Sequence, residues 1–168
     1  MEFRMNPCEG EYEFSLCIRN YRPAIGDDQF DSWCKVDLKL KCCDYMDYKV
    51  LNDEMLESAD VEKLAWELVR LLNGEISKET LISFVEPDLN FTLYPKQFIG
   101  NFETDISAEL MISLRKSHTN YNGLVLTIPM DRDDITALLL YLKEVMENGQ
   151  LEQRTLFEIQ GAADAAGN

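Results

Sequence analysis

Glu86 and Asp88, set on either side of Pro87, are the two carboxylates whose spacing can do chemistry. Two acids two residues apart share a face if the chain stays extended, and such a pair can act as a general base or hold a ligand. Proline suits the second position of a tight turn, and acidic residues favour its flanks, so turn chemistry explains the same three residues. Both readings stay open from sequence. A second acidic group, Asp27, Asp28 and Asp31, falls in the segment 20–32 beside Pro23 and Gly26. Hard cations want several oxygen ligands. The Asp-x-Asp-x-Asp-Gly run and distal Glu of a calcium loop are missing, so a solvated loop fits better.

The remaining reactive side chains do not form a pattern. Cys8, Cys17, Cys34, Cys42 and Cys43 are odd in number, without a Cys-x-x-Cys pair, and His118 is the single histidine. That argues against a disulfide framework and against zinc. His118 falls in a polar turn with no nucleophile pattern around it. There is no glycine-rich phosphate loop, no Gly-x-Ser-x-Gly and no His-Glu-x-x-His. No catalytic residue, metal ligand or cofactor is therefore expected.

The elements that must position the acids can be read in turn. Tyr12, Phe14, Leu16 and Ile18 alternate with polar residues, as a half-buried strand requires. Trp33 opens a second strand with Val36, Leu38, Leu40 and Cys42 inward and Lys35, Asp37, Lys39 and Lys41 outward. A third, from Tyr48 and Val50 toward Met55 and Leu56, is interrupted by Asn52-Asp53-Glu54. The spacing of Val61, Leu64, Ala65, Leu68, Leu71 and Leu72 predicts a helix over 61–73, with Asp60 as N-cap and Gly74 just past its end. Trp66 lies off the centre of that stripe; it either packs at the helix edge or stands exposed for a partner. The stretch 81–95 then reads as two short strands meeting at the Glu86-Pro87-Asp88 corner, with Ile82, Phe84, Leu89, Phe91 and Leu93 buried. Residues 96–105 read as a connection. A strand through Ile106 to Leu114, a turn and a strand 124–128 ended by Pro129 follow. A helix over 132–148, capped by Asp131 and stopped at Gly149, closes the domain.

These elements predict an α+β fold, a mostly antiparallel sheet of about six or seven strands packed with two amphipathic helices. One domain is expected over residues 1–150, with 151–168 a mobile C-terminal tail.

Acids outnumber Lys and Arg by 31 to 16, for a net charge of −15, and there is no basic run. Direct nucleic-acid binding is not expected, because neutralising phosphate dominates such affinity. No apolar run has the length of a membrane span, and the first residues lack the pattern of a signal peptide. A cytoplasmic protein is the expectation. An acidic surface favours a cationic partner, and serves solubility equally well.

The order of elements, together with Phe84-x-Glu86-Pro87-Asp88-Leu89-x-Phe91, Asp31-Ser32-Trp33, Asn73-Gly74 and Ile128-Pro129, resembles the WapI family of bacterial immunity proteins over roughly residues 12–149. The resemblance implies a small cytosolic, non-enzymatic protein that binds and neutralises a cognate toxin domain. Joined to the charge, it leads to a basic, nuclease-type toxin as partner, with Asp27, Asp28, Asp31, Trp66, Glu86 and Asp88 as candidate contacts. A small-ligand or metal-binding domain, even a hydrolase, with its site at the Glu86-Pro87-Asp88 turn is the alternative. A homo-oligomeric module using Met111 and Trp66 is a third.

Overall fold

In the computed structural model the described residues are 1–5, 12–23, 32–86, 88–99, 102–114 and 124–166, without the side chains of Ile99 and 152–166. The acidic loop residues Asp27, Asp28 and Asp31, the corner residue Pro87, Cys8 and the His118 turn lie outside them.

One antiparallel sheet has the order β1-β2-β3-β4, with β1 Phe3–Met5, β2 Tyr12–Arg19, β3 Trp33–Cys42 and β4 Met46–Glu57. A second has the order β10-β9-β6-β5, with β5 Thr80–Ser83, β6 Leu89–Tyr94, β9 Ser107–Ser113 and β10 Val125–Met130. The short segments β7 Phe98–Ile99 and β8 Phe102–Glu103 pair with each other as a ribbon between β6 and β9. The helices are α1 Ser58–Leu72 and α2 Arg132–Ala166. The fold is α+β with antiparallel pairing, but the single expected sheet is two four-stranded sheets among the described residues.

Period-2 alternation does what it should. Phe14, Leu16 and Ile18 of β2, Cys34, Val36, Leu38 and Leu40 of β3, and Ala108, Leu110 and Ile112 of β9 are buried. They join Leu64, Leu68 and Leu71 of α1 and Ile135, Leu138 and Leu142 of α2 in one apolar cluster. The outer face of the first sheet carries the opposite set, and its charges pair across strands. Lys35 faces Glu54 in the register and reaches it at 2.7 Å; Arg19 forks onto Asp37 at 2.5 and 2.8 Å. Such cross-strand pairs are the natural unit of a solvated sheet face.

Four local expectations need correction. Asn52-Asp53-Glu54 does not interrupt β4: register shifts between β3 and β4 absorb the extra chain. Asn52 takes φ 58°, and its N–H donates to Asp37 Oδ1 at 2.7 Å. This is a bulge satisfied by a side chain. Pro129 does not end β10 but pairs opposite Glu109; β10 is a sheet edge, where a missing donor costs no ladder bond. Residues 96–105 are not simply a connection but hold the β7–β8 ribbon, fastened by the Thr104 N–H on the Gln97 carbonyl at 2.8 Å.

The fourth concerns Gly149. It does not stop α2, which runs on to Ala166. A Cβ built on Gly149 would meet the Tyr21 carbonyl oxygen at 2.5 Å and its ring Cδ1 at 2.6 Å. The glycine is there so that Tyr21 can lie against the helix.

Candidate functional site

The corner after β5 is built by one antiparallel pair and one helix turn. Ser83 of β5 pairs with Asn90 of β6. Phe84 is buried edge-to-face on Phe91, with ring centroids 6.1 Å apart, a favoured aromatic geometry. Beyond it Val85 turns outward, Glu86 is half-buried, and Asp88 is only 2% exposed. The Asp88 carbonyl accepts the Ser113 N–H at 2.8 Å, which extends the β6–β9 ladder by one bond.

Helix α1 braces this corner. Its start differs from expectation: β4 runs straight into the helix, Glu57 is the N-cap, and Asp60 is the third helical residue. The Ser58 N–H donates to the Ser32 carbonyl at 2.9 Å, so the sheet ladder continues into the first turn. The Asp60 carboxylate accepts the Glu57 N–H at 3.1 Å and also the Val85 N–H. It thus satisfies one orphan helix donor and one corner amide together. Burial, opposed by those bonds and by Lys63, raises its pKa above the ordinary value. One turn on, Lys63 Nζ donates to the Ser83 carbonyl at 3.0 Å.

Trp66 follows at the next turn. It is 59% exposed, so its ring is not packed away at the helix edge. The Arg70 guanidinium lies 4.6 Å from its ring centroid. Arg70 is itself held by Glu67 at 3.0 Å and lies 3.8 Å from Glu75. The ring therefore has one face covered by a fixed cation, an arrangement worth about 0.5–1 kcal/mol at an exposed site. The helix ends as expected, in a Schellman turn. Gly74 has φ 73°, its N–H reaches the Leu71 carbonyl, and the Glu75 N–H reaches that of Arg70.

Of the expected contact residues, Trp66 stands on α1 one turn after Lys63, which reaches Ser83, while Glu86 and Asp88 lie at the corner that follows Ser83. Asp88 lies beneath the surface there and Glu86 at it. A carboxylate pair for acid–base work needs two reachable acids facing a cleft; here one of the two is shielded. Asp60, Lys63, Leu81 and Val85 escaped sequence reasoning. Leu81 and Val85 occupy the outward positions of the alternation that buries Ile82 and Phe84, and they are 60% and 62% exposed.

Elsewhere, a groove of ≈ 700 Å³ opens on the outer face of the first sheet, lined among others by Glu2, Arg4, Ser15, Lys39, Lys41 and Lys49. The Glu2 carboxyl there is held down to about 2, first by a hydrogen bond from Ser15 and then by Arg4. Among the described residues no group of His, Cys, Asp and Glu is placed to hold a metal ion. No described helix is long and apolar enough to cross a membrane.

No curated protein and no solved structure matches this chain. The model of the immunity protein WapI-like family matches residues 5–148, which span both sheets, α1 and α2 as far as the Tyr21 contact. The chain belongs to the WapI-like immunity protein family.

Proposed function

We propose that this protein is a cytoplasmic immunity protein that neutralises a cognate toxin domain by binding it, without turning over any substrate. The observation that carries this reading is the family match across nearly the whole described fold. The net charge of −15 adds the chemistry of the partner: a basic domain, of the kind that handles nucleic acid. An acidic inhibitor stands in for phosphate and speeds encounter with such a domain. Trp66 and Glu86 belong to the contact set, with Asp88 holding the corner beneath them. Asp27, Asp28 and Asp31 add negative charge to the encounter. Residues 1–150 form the binding domain, and the chain beyond serves as a tail.

Calorimetric titration of the full chain into an inactivated toxin domain encoded beside it tests this reading. A 1:1 complex is expected, weakening as salt rises because exposed charges are screened. No heat and no complex at low salt, for every neighbouring toxin domain, would refute it. A complex indifferent to salt would retain the immunity role and remove the cationic partner.

A further inference from the structure

We infer that the toxin domain docks on the seam between α1 and β5, with Trp66, Leu81 and Val85 as the apolar centre of the contact. This rests on the neutralisation reading and names the surface that performs it. Three large apolar side chains, Trp66 on α1, Leu81 on β5 and Val85 just beyond it, stand more than half exposed. Lys63, one turn before Trp66, reaches the carbonyl of Ser83, which lies between Leu81 and Val85 in the chain. The three residues therefore frame a single contact.

Charge selects the occupant. The surface acids of this unit are Glu62, Glu75, Glu79 and Glu86, against Lys63, Lys78 and Arg70, the last paired with the largely buried Glu67. Its two cations nearest the seam are engaged inward, Lys63 on a backbone carbonyl and Arg70 on Glu67 and over Trp66. An incoming partner meets apolar surface rimmed by carboxylates, which suits a basic domain. The outer face of the first sheet offers the contrary surface. Arg4, Arg19, Lys35, Lys39, Lys41 and Lys49 gather there, among acids that pair with them.

The mode of docking follows from the backbone. The edge of a sheet ordinarily invites another strand. Here the Val85 N–H is taken by Asp60 and the Ser83 carbonyl by Lys63. The partner thus engages side chains and does not extend β5. Trp66 is the natural anchor, because Arg70 already fixes its ring and little freedom remains to be lost.

The test compares the unaltered full chain with Trp66→Ala, Val85→Lys, Lys41→Glu and Phe98→Ser, each titrated against the inactivated toxin domain encoded beside this chain. Thermal unfolding of each variant establishes that it is folded. Trp66→Ala is expected to weaken binding by at least about thirtyfold, as a central anchor does. Val85→Lys should weaken it at least about tenfold by setting like charges together. Lys41→Glu, on the first sheet, should change it less than about twofold. Unchanged affinity for both seam variants, with the complex intact, overturns the assignment alone. Loss at Phe98→Ser instead, on the exposed β7–β8 ribbon, overturns it in favour of that ribbon. No complex with the unaltered chain overturns the neutralisation reading and this surface together.

Discussion

Replacing Gly149 by alanine sets two known effects against each other. In a solvent-facing helix the change stabilises by about 0.8–1 kcal/mol, because alanine loses less backbone freedom. At Gly149 the new methyl would stand 2.5 Å from the Tyr21 carbonyl oxygen and 2.6 Å from Cδ1. The nearer atom belongs to the backbone and cannot rotate away. Overpacking of this kind costs about 1–3 kcal/mol. Moving Tyr21 also strains its 2.6 Å hydrogen bond to Glu62 and the neighbouring Arg22 N–H on Ser58 Oγ, a further loss of about 1 kcal/mol. The clash wins, and the net destabilisation is about 1–3 kcal/mol. For a chain of this length that lowers the melting temperature by roughly 2–12 °C. Scanning calorimetry of Gly149→Ala reads it, with Asn148→Ala as a helix-propensity control expected to be neutral or stabilising. In a Tyr21→Ala background the cost should fall to roughly half, since the ring clash is gone. A rise in melting temperature for Gly149→Ala would refute the packing argument. An equal cost in both backgrounds would put the whole clash on the Tyr21 carbonyl, which Tyr21→Ala leaves in place.

Other outcomes follow from buried polar contacts. The Tyr141 hydroxyl accepts the Ile18 N–H at 2.6 Å, beyond the end of the short edge strand β1; Tyr141→Phe strands that amide and should cost about 1–3 kcal/mol in urea unfolding. Asp37 accepts from both Arg19 and the bulge amide of Asn52, so Asp37→Ala should cost roughly 1–2 kcal/mol. The Asp37 carboxyl is depressed to about 2, chiefly by Arg19; its contribution is present above the ordinary value of 3.8 and lost as pH falls toward 2. Asp60 has the opposite sign. Burial raises it above 3.8, so the folded state binds the proton more tightly, and stability drains as pH rises from 3.8 through the raised value. Denaturation of Asp60→Asn across that range should show this slope removed, and an unchanged slope would sink the assignment. The Cys34 thiol, pushed up to about 11 by burial, should resist alkylation at neutral pH until the chain unfolds.

Much of this fold is legible because its signals are local. Alternation in β2, β3 and β9 and the pair Asn73-Gly74 need only neighbouring residues to be interpreted. Asp131 is legible in the same way: its Oδ1 takes the N–H groups of Asp133 and Asp134 at 2.9 and 3.0 Å, as a helix cap should. What escapes the sequence depends on partners far along the chain. Asp60 looks like an N-cap because an apolar stripe begins after it. The true cap is Glu57, since the Ser32 carbonyl carries the β3–β4 ladder into Ser58. Gly149 looks like a stop because the Tyr21 that needs its hydrogen is near the other terminus. The site divides likewise. The Glu86-Pro87-Asp88 corner announces itself, and Leu81 and Val85 could have been found from the alternation of Ile82 and Phe84. That Asp88 is buried while Trp66 is exposed follows only from how α1 and β9 pack against that corner.

If this chain silences a toxin by occupying it, titrating the full chain against the activity of the toxin domain encoded beside it will show a stoichiometric end point. The predicted result is a linear fall in activity to zero at one molar equivalent, weakened in the Trp66→Ala variant. Full toxin activity in the presence of excess folded chain would contradict it.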